Sequence, residues 1–182
     1  MRASILISLL FVCVSSLSSA SEAVDKEKLK YIIDGWSAGS WDPVVIRYRK
    51  ENGWVTSPEE QPASVKKDGP YGLTFYNSNG EPEFKIDLSS GYYVTTSYNK
   101  EKKIFDKTSL ASFVSYDLKA PDNFTFLVAW EDASEDGSKS YSEGTRIGPY
   151  KSWSGFNIDS EGGRKYKYSN IFNAEGNGIA SK

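Results

Sequence analysis

Histidine is absent from the sequence, and the single cysteine, Cys13, lies inside an apolar run near the N-terminus. Histidine is the commonest general base near neutral pH and the commonest transition-metal ligand, while cysteine supplies the thiolate alternatives. Without either from residue 21 onward, Ser-His-Asp triads, Cys-His dyads and the usual zinc and copper centres are excluded. A disulfide framework is excluded as well, so stability has to come from packing. Catalysis would have to use a carboxylate pair, a Ser-Lys pair or a hard cation on oxygen ligands, and the chain reads as a non-enzyme. An excess of charge of either sign is also missing. Lys+Arg 22 against Asp+Glu 24 leaves a formal charge of −2, without the concentrated basic face that nucleic-acid binding needs. No apolar run is long enough to span a bilayer as a helix, so no transmembrane segment is expected.

What is present begins with an address. Arg2 precedes an apolar stretch from Ile5 to Val14 and the small-residue tripeptide Ser18-Ser19-Ala20. This pattern predicts a secretory signal over residues 1–20, cleaved after Ala20, and an extracellular protein formed by residues 21–182 as one domain. Aromatic content of 14% and hydrophobic content of 38% suffice for a packed core.

Period two dominates the chain beyond that leader. Val44, Ile46 and Tyr48 alternate with polar or outward positions, as do Phe84, Ile86 and Leu88, and Val114, Tyr116 and Leu118. Phe124, Phe126, Val128 and Trp130 form one continuous face. Strands are further predicted over Leu73 to Asn77, Tyr92 to Tyr98, Gly155 to Asp159 and Arg164 to Phe172. Turn chemistry separates them, as at Asn52-Gly53, Asp68-Gly69-Pro70, Asn79-Gly80 and Ala120-Pro121-Asp122. The pattern predicts an all-β protein, an antiparallel β-sandwich or a barrel-like sheet. The segment from Ser21 to Ile33, with apolar Leu29, Ile32 and Ile33, reads as a short N-terminal helix or as a strand beginning at Tyr31.

Three sets of residues are candidates for binding. Trp36, Trp41 and Trp54 lie among Gly and Ser near predicted turns, and Tyr150 and Trp153 lie in the loop-like Gly148 to Gly155. Rings so placed either stack on sugars and anchor at lipid headgroups, or plug the ends of the core. Asp132, Ser134, Asp136, Ser138 and Glu143, with Gly137 at the sixth position, follow the spacing of a twelve-residue calcium loop, although Lys139 stands where an apolar residue is usual. A solvated acidic hairpin explains the same residues. Asn123-Phe124-Thr125 is an N-glycosylation sequon. Arg164 to Tyr168 interleaves cations and rings, a pattern that binding to anionic headgroups, binding to anionic glycans or an exposed edge strand protected by Lys would each produce, the edge strand being the plainest reading.

From about Ile86 to Phe172 the order of short motifs resembles the actinoporin-like cytolysins. The motifs are Ser89-Ser90-Gly91-Tyr92, Ser115-Tyr116-Asp117-Leu118, the strand Phe124 to Trp130, Tyr150-Lys151-Ser152-Trp153 and Asn157-Ile158. The resemblance implies a β-sandwich, an N-terminal amphipathic helix that enters membranes, and a headgroup side carrying Tyr150 and Trp153. The acidic loop replaces that family's Pro-aromatic-Asp turn, and the helical segment is less apolar than insertion needs. Two functions are therefore expected. One is a secreted protein that engages membrane surfaces through loop aromatics, with homo-oligomerisation into a pore as its furthest form. The other is a soluble carbohydrate-binding module, with or without calcium, in which Trp36, Trp41, Trp54 and Trp153 stack on sugar rings.

Overall fold

The computed structural model describes residues 24–50, 53–55, 63–132, 138–158 and 161–175. The predicted leader lies outside them. The first element is a helix, α1 (Lys26–Ser37), opened by Asp25, whose carboxylate accepts a hydrogen bond from the Glu27 backbone N–H at 3.0 Å. Its buried side reads Leu29, Ile32, Ile33 and Trp36, which is the i, i+3, i+4, i+7 spacing of one helical face. The helix thus runs four residues beyond Ile33, and Trp36 belongs to it and not to a loop.

Eleven strands complete the fold. They are β1 (Asp42–Lys50), β2 (Gly53–Val55), β3 (Ser64–Lys67), β4 (Gly72–Tyr76), β5 (Pro82–Asp87), β6 (Tyr93–Asn99), β7 (Ile104–Ala120), β8 (Asn123–Trp130), β9 (Lys139–Ile147), β10 (Tyr150–Ile158) and β11 (Arg164–Asn173). All belong to one antiparallel sheet in the order β2-β1-β11-β10-β9-β8-β7-β6-β5-β4-β3. From β3 to β11 the chain is a meander, and β1 returns from the far N-terminal side to pair with β11, with Asp42 opposite Asn173. The expected all-β class is correct, and of its two forms the barrel-like one applies: a single curled sheet, not two separate ones.

The longest strand, β7, belongs to both arms of the sheet. Its first half pairs with β6 and its second half with β8, and Ala111 is opposite both Tyr93 and Trp130. The register against β8 slips between Phe113 and Ser115, which marks a β-bulge at Val114. The bulge corrects the sequence reading of that strand. Val114 does not share the inward face of Tyr116 and Leu118 but is 55% exposed, whereas Phe113 is buried.

Because the sheet curls, its two arms meet across α1. The Phe84 ring of β5 lies 5.1 Å from Trp153 of β10, and Phe75 of β4 lies 6.0 Å from the same indole. Trp36 stands between the arms, with the rings of Trp41, Phe75, Phe124, Phe126 and Trp153 at centroid distances of 5.4 to 6.3 Å. Two glycines allow this approach. A Cβ at Gly144 would run into the Phe126 ring and the Trp36 indole, and one at Gly35 would meet the Pro121 carbonyl and the Phe124 ring.

Gly144→Ala should therefore lower stability by about 1–3 kcal/mol, the usual cost of overpacking a filled core. Urea denaturation would show it as a lower midpoint at unchanged slope, and an unshifted midpoint would mean that the helix does not press on β9 as described.

Candidate functional site

The end of the sheet at which α1 terminates carries most of the chemistry. The last turn of α1 has no basic residue of its own, so its carbonyl groups need donors from elsewhere. Two cations on adjacent strands supply them. Lys151 Nζ donates to the carbonyl oxygens of Trp36 at 3.2 Å and Ser40 at 3.1 Å, and it stands 4.6 Å from the Trp41 ring centroid. The Arg146 guanidinium donates to Gly35 and, at 3.2 Å, to Ala38. Both cations also face the negative end of the helix dipole.

Lys151 is fully buried. Desolvation, with a smaller contribution from the Arg146 charge, lowers its pKa from 10.5 to about 7. Between these values the unfolded chain holds a proton that the native chain has released, so stability should rise from pH 7 toward pH 10.5 and level off above. Lys151→Met should remove this rise. Urea midpoints of parent and variant across that range would test it, and parallel pH profiles would show that the amine does not titrate in the native state.

The same end presents an outward rim. Asn123 pairs with Ile147, Ile147 with Tyr150, and Tyr150 with Asn173, so their side chains form one row on the outer face of the sheet. Ile147 is 61% exposed and Tyr150 53% exposed, and they flank the Gly148-Pro149 turn. Lys119, Asp122 and Glu175 are exposed at the ends of neighbouring elements, which leaves the rim mixed in charge.

The aromatic residues singled out by the sequence are distributed unevenly. Trp36 and Trp41 are core residues, 0% and 3% exposed, and present no ring face to a ligand. Trp153 lies on β10, points to the interior, and has a buried indole N–H that makes no hydrogen bond. Tyr150 is also on that strand, so the loop expected over residues 148–155 is a turn followed by a strand. Trp54, on the edge strand β2, is 42% exposed. Of the five rings, the structure brings only Tyr150 to the rim, and Ile147 beside it is the residue that sequence reasoning missed.

Ser134 and Asp136 of the calcium-like spacing lie outside the described residues. Ser138 accepts a hydrogen bond from Asn157 Nδ2 at 2.8 Å. Glu143 is in the middle of β9, opposite Leu127 and Ser154, with a carboxylate oxygen 3.7 Å from Arg164. Strand geometry moves it about 13 Å along β9 from Lys139, so it does not close a loop beside Asp132. Among the described residues no group of three or more acidic side chains converges. The expected edge segment Arg164 to Tyr168 begins β11, where β10 pairs along its whole length while the register with β1 reaches only to Tyr168, so this part of the strand lies at a sheet margin.

A cleft of about 280 Å³ opens between the β3–β4 turn and β5, lined by Asp68, Tyr71, Lys85, Asp87 and Ser89 among others. The Tyr71 hydroxyl donates to Glu27 at 3.2 Å, and Asp87 accepts from the Ser89 N–H at 2.7 Å. Asp68 and Asp87 are both exposed. A glycosidase-type general acid relies on a desolvated carboxyl, which neither residue provides.

The architecture and the rim define a curled antiparallel sheet wrapped around a helix, with Ile147 and Tyr150 exposed side by side at one end. No protein-family model matches the chain, and neither the curated proteins nor the solved structures give a match.

Proposed function

We propose that this is a secreted, non-catalytic protein that binds membrane surfaces through the rim at the β9–β10 hairpin. The observation that carries the reading is the pair Ile147 and Tyr150, adjacent across the hairpin and both more than half exposed. A phenol suits the headgroup boundary because its ring is apolar and its hydroxyl wet, and an aliphatic neighbour adds area that only an apolar medium rewards. Burying the two side chains would contribute about 1.5–3 kcal/mol each at most, so one copy binds reversibly. Several copies on one surface would bind far more tightly through avidity. The mixed charge of the rim gives anionic lipids no advantage, so binding should depend little on salt.

Pore formation of the kind that the cytolysin resemblance implies would require α1 to leave the sheet. Leu29, Ile32, Ile33 and Trp36 are all fully buried, so the helix would have to exchange its whole core packing for lipid. Peripheral binding is therefore the proposal, with α1 remaining inside.

Carbohydrate binding is the second reading, and the polar cleft favours it. That cleft joins carboxylates, an amine and a hydroxyl beside the Tyr71 ring, and its 280 Å³ suits one ring-sized unit.

The pair Ile147→Ser and Tyr150→Ser should reduce cosedimentation with zwitterionic phosphatidylcholine vesicles about tenfold or more. The urea midpoint should stay within about 0.5 kcal/mol of the parent's, as for other exposed substitutions. Equal sedimentation of parent and variant would sink the membrane reading. A response to neutral methyl glycosides without vesicle binding would replace it with the second.

A further inference from the structure

We propose that Asn123 is an acceptor for N-linked glycosylation and that the attached glycan covers Ile147 and Tyr150, so that the glycosylated chain binds membranes more weakly than the bare one. The second half rests on the membrane reading of the rim; the first does not. Asn123 lies 24 residues from Ile147 and 27 from Tyr150 in the chain, and only the sheet register makes them neighbours.

The orientation of the sequon arises from strand alternation. Asn123 and Thr125 are exposed on the outer face of β8, whereas Phe124 between them is 1% exposed in the core. Both groups that a glycosyltransferase must read, the amide and the hydroxyl two residues on, therefore face solvent. The preceding Pro121-Asp122 turn places the amide at the tip of a hairpin, with Ala120 opposite Asn123.

In the reaction, the Asn123 amide nitrogen attacks C1 of the first sugar of a polyprenyl-pyrophosphate-linked oligosaccharide. The C1–N bond forms as the C1–O bond to pyrophosphate breaks, the amide proton passes to a base of the transferase, and polyprenyl pyrophosphate leaves. No oxidant or reductant takes part.

Cross-strand neighbours on one face have Cβ atoms about 5 Å apart, so a sugar on Asn123 stands directly above Ile147 with Tyr150 next in the row. The apolar face of a sugar ring stacks on a phenol, and the hydroxyl groups then turn outward. A row that is amide, aliphatic, aromatic and amide along Asn123, Ile147, Tyr150 and Asn173 is thereby converted from a partly apolar surface into a hydrated one.

The test is to secrete the full chain from a eukaryotic host beside Asn123→Gln, Thr125→Ala and Thr125→Ser. A mass increase that a peptide N-glycosidase removes is expected for the parent and for Thr125→Ser, and for neither of the other two. Secretion of folded parent without that increase overturns the acceptor assignment. Tyr150 nitration by tetranitromethane, read by mass spectrometry, should be several-fold slower in the glycosylated parent than in Asn123→Gln; equal rates overturn the masking. Vesicle cosedimentation should be about tenfold weaker for the glycosylated parent. If neither chain sediments while Tyr150 is protected, the membrane reading fails and the glycan contact stands. If both sediment equally, the glycan does not govern the rim.

Discussion

Trp36 is the contact on which the architecture turns. It is the last buried residue of α1, and it touches rings from the β4 arm, from β8 and from β10 of the same sheet. Among the described residues no strand pairing joins β2 to β3, so side-chain packing through the middle links the two arms. The helix provides that packing, and the inward strand positions are matched to it: large rings where space remains, and glycine at residue 144 where the indole comes closest. The Trp41 indole N–H, donating to the Trp36 carbonyl at 2.9 Å, fastens the chain just beyond the helix to the same point.

Filling the interior in this way decides where a function can be carried. Up-and-down sheets that bind small molecules inside keep an open lumen, whereas here α1 and its aromatic neighbours occupy it. Ligands are left with the outer face and the grooves between turns. The helix C-terminus also sets the electrostatics of the rim, because Lys151 and Arg146 point inward to its carbonyl groups and not outward to solvent. What remains at the surface there is weakly charged and partly apolar.

The strand most legible in the sequence is the one whose inward positions are all large and apolar. Phe124, Phe126, Val128 and Trp130 declare β8 because every second residue has a place in the core. By the same logic β9 is illegible: its inward residues are Ser142, Gly144 and Arg146, two kept small by the rings above them and one turned into a cap for α1. Residues 150–153 resemble a loop for a similar reason, since the inward position is Lys151 and a buried lysine looks like a surface residue in one dimension. Val114 misleads because a bulge inserts one residue without changing the apparent alternation. Of the rim, Tyr150 is visible as an aromatic after a turn. The row it forms with Asn123 and Ile147 depends on the register of three strands, which no local pattern encodes.

The pairing of β1 with β11 also imposes an order of events. During synthesis the helix and β1 emerge first, yet the strand that flanks β1 is completed only at Asn173, after every other strand of the sheet has been made. Until then β1 has no sheet to join except the short β2. Such contacts, distant in sequence, carry the largest loop-closure entropy and form late. β1 therefore gains its final surroundings only once β11 is available, and the sheet is completed by joining the first-made part of the chain to the last.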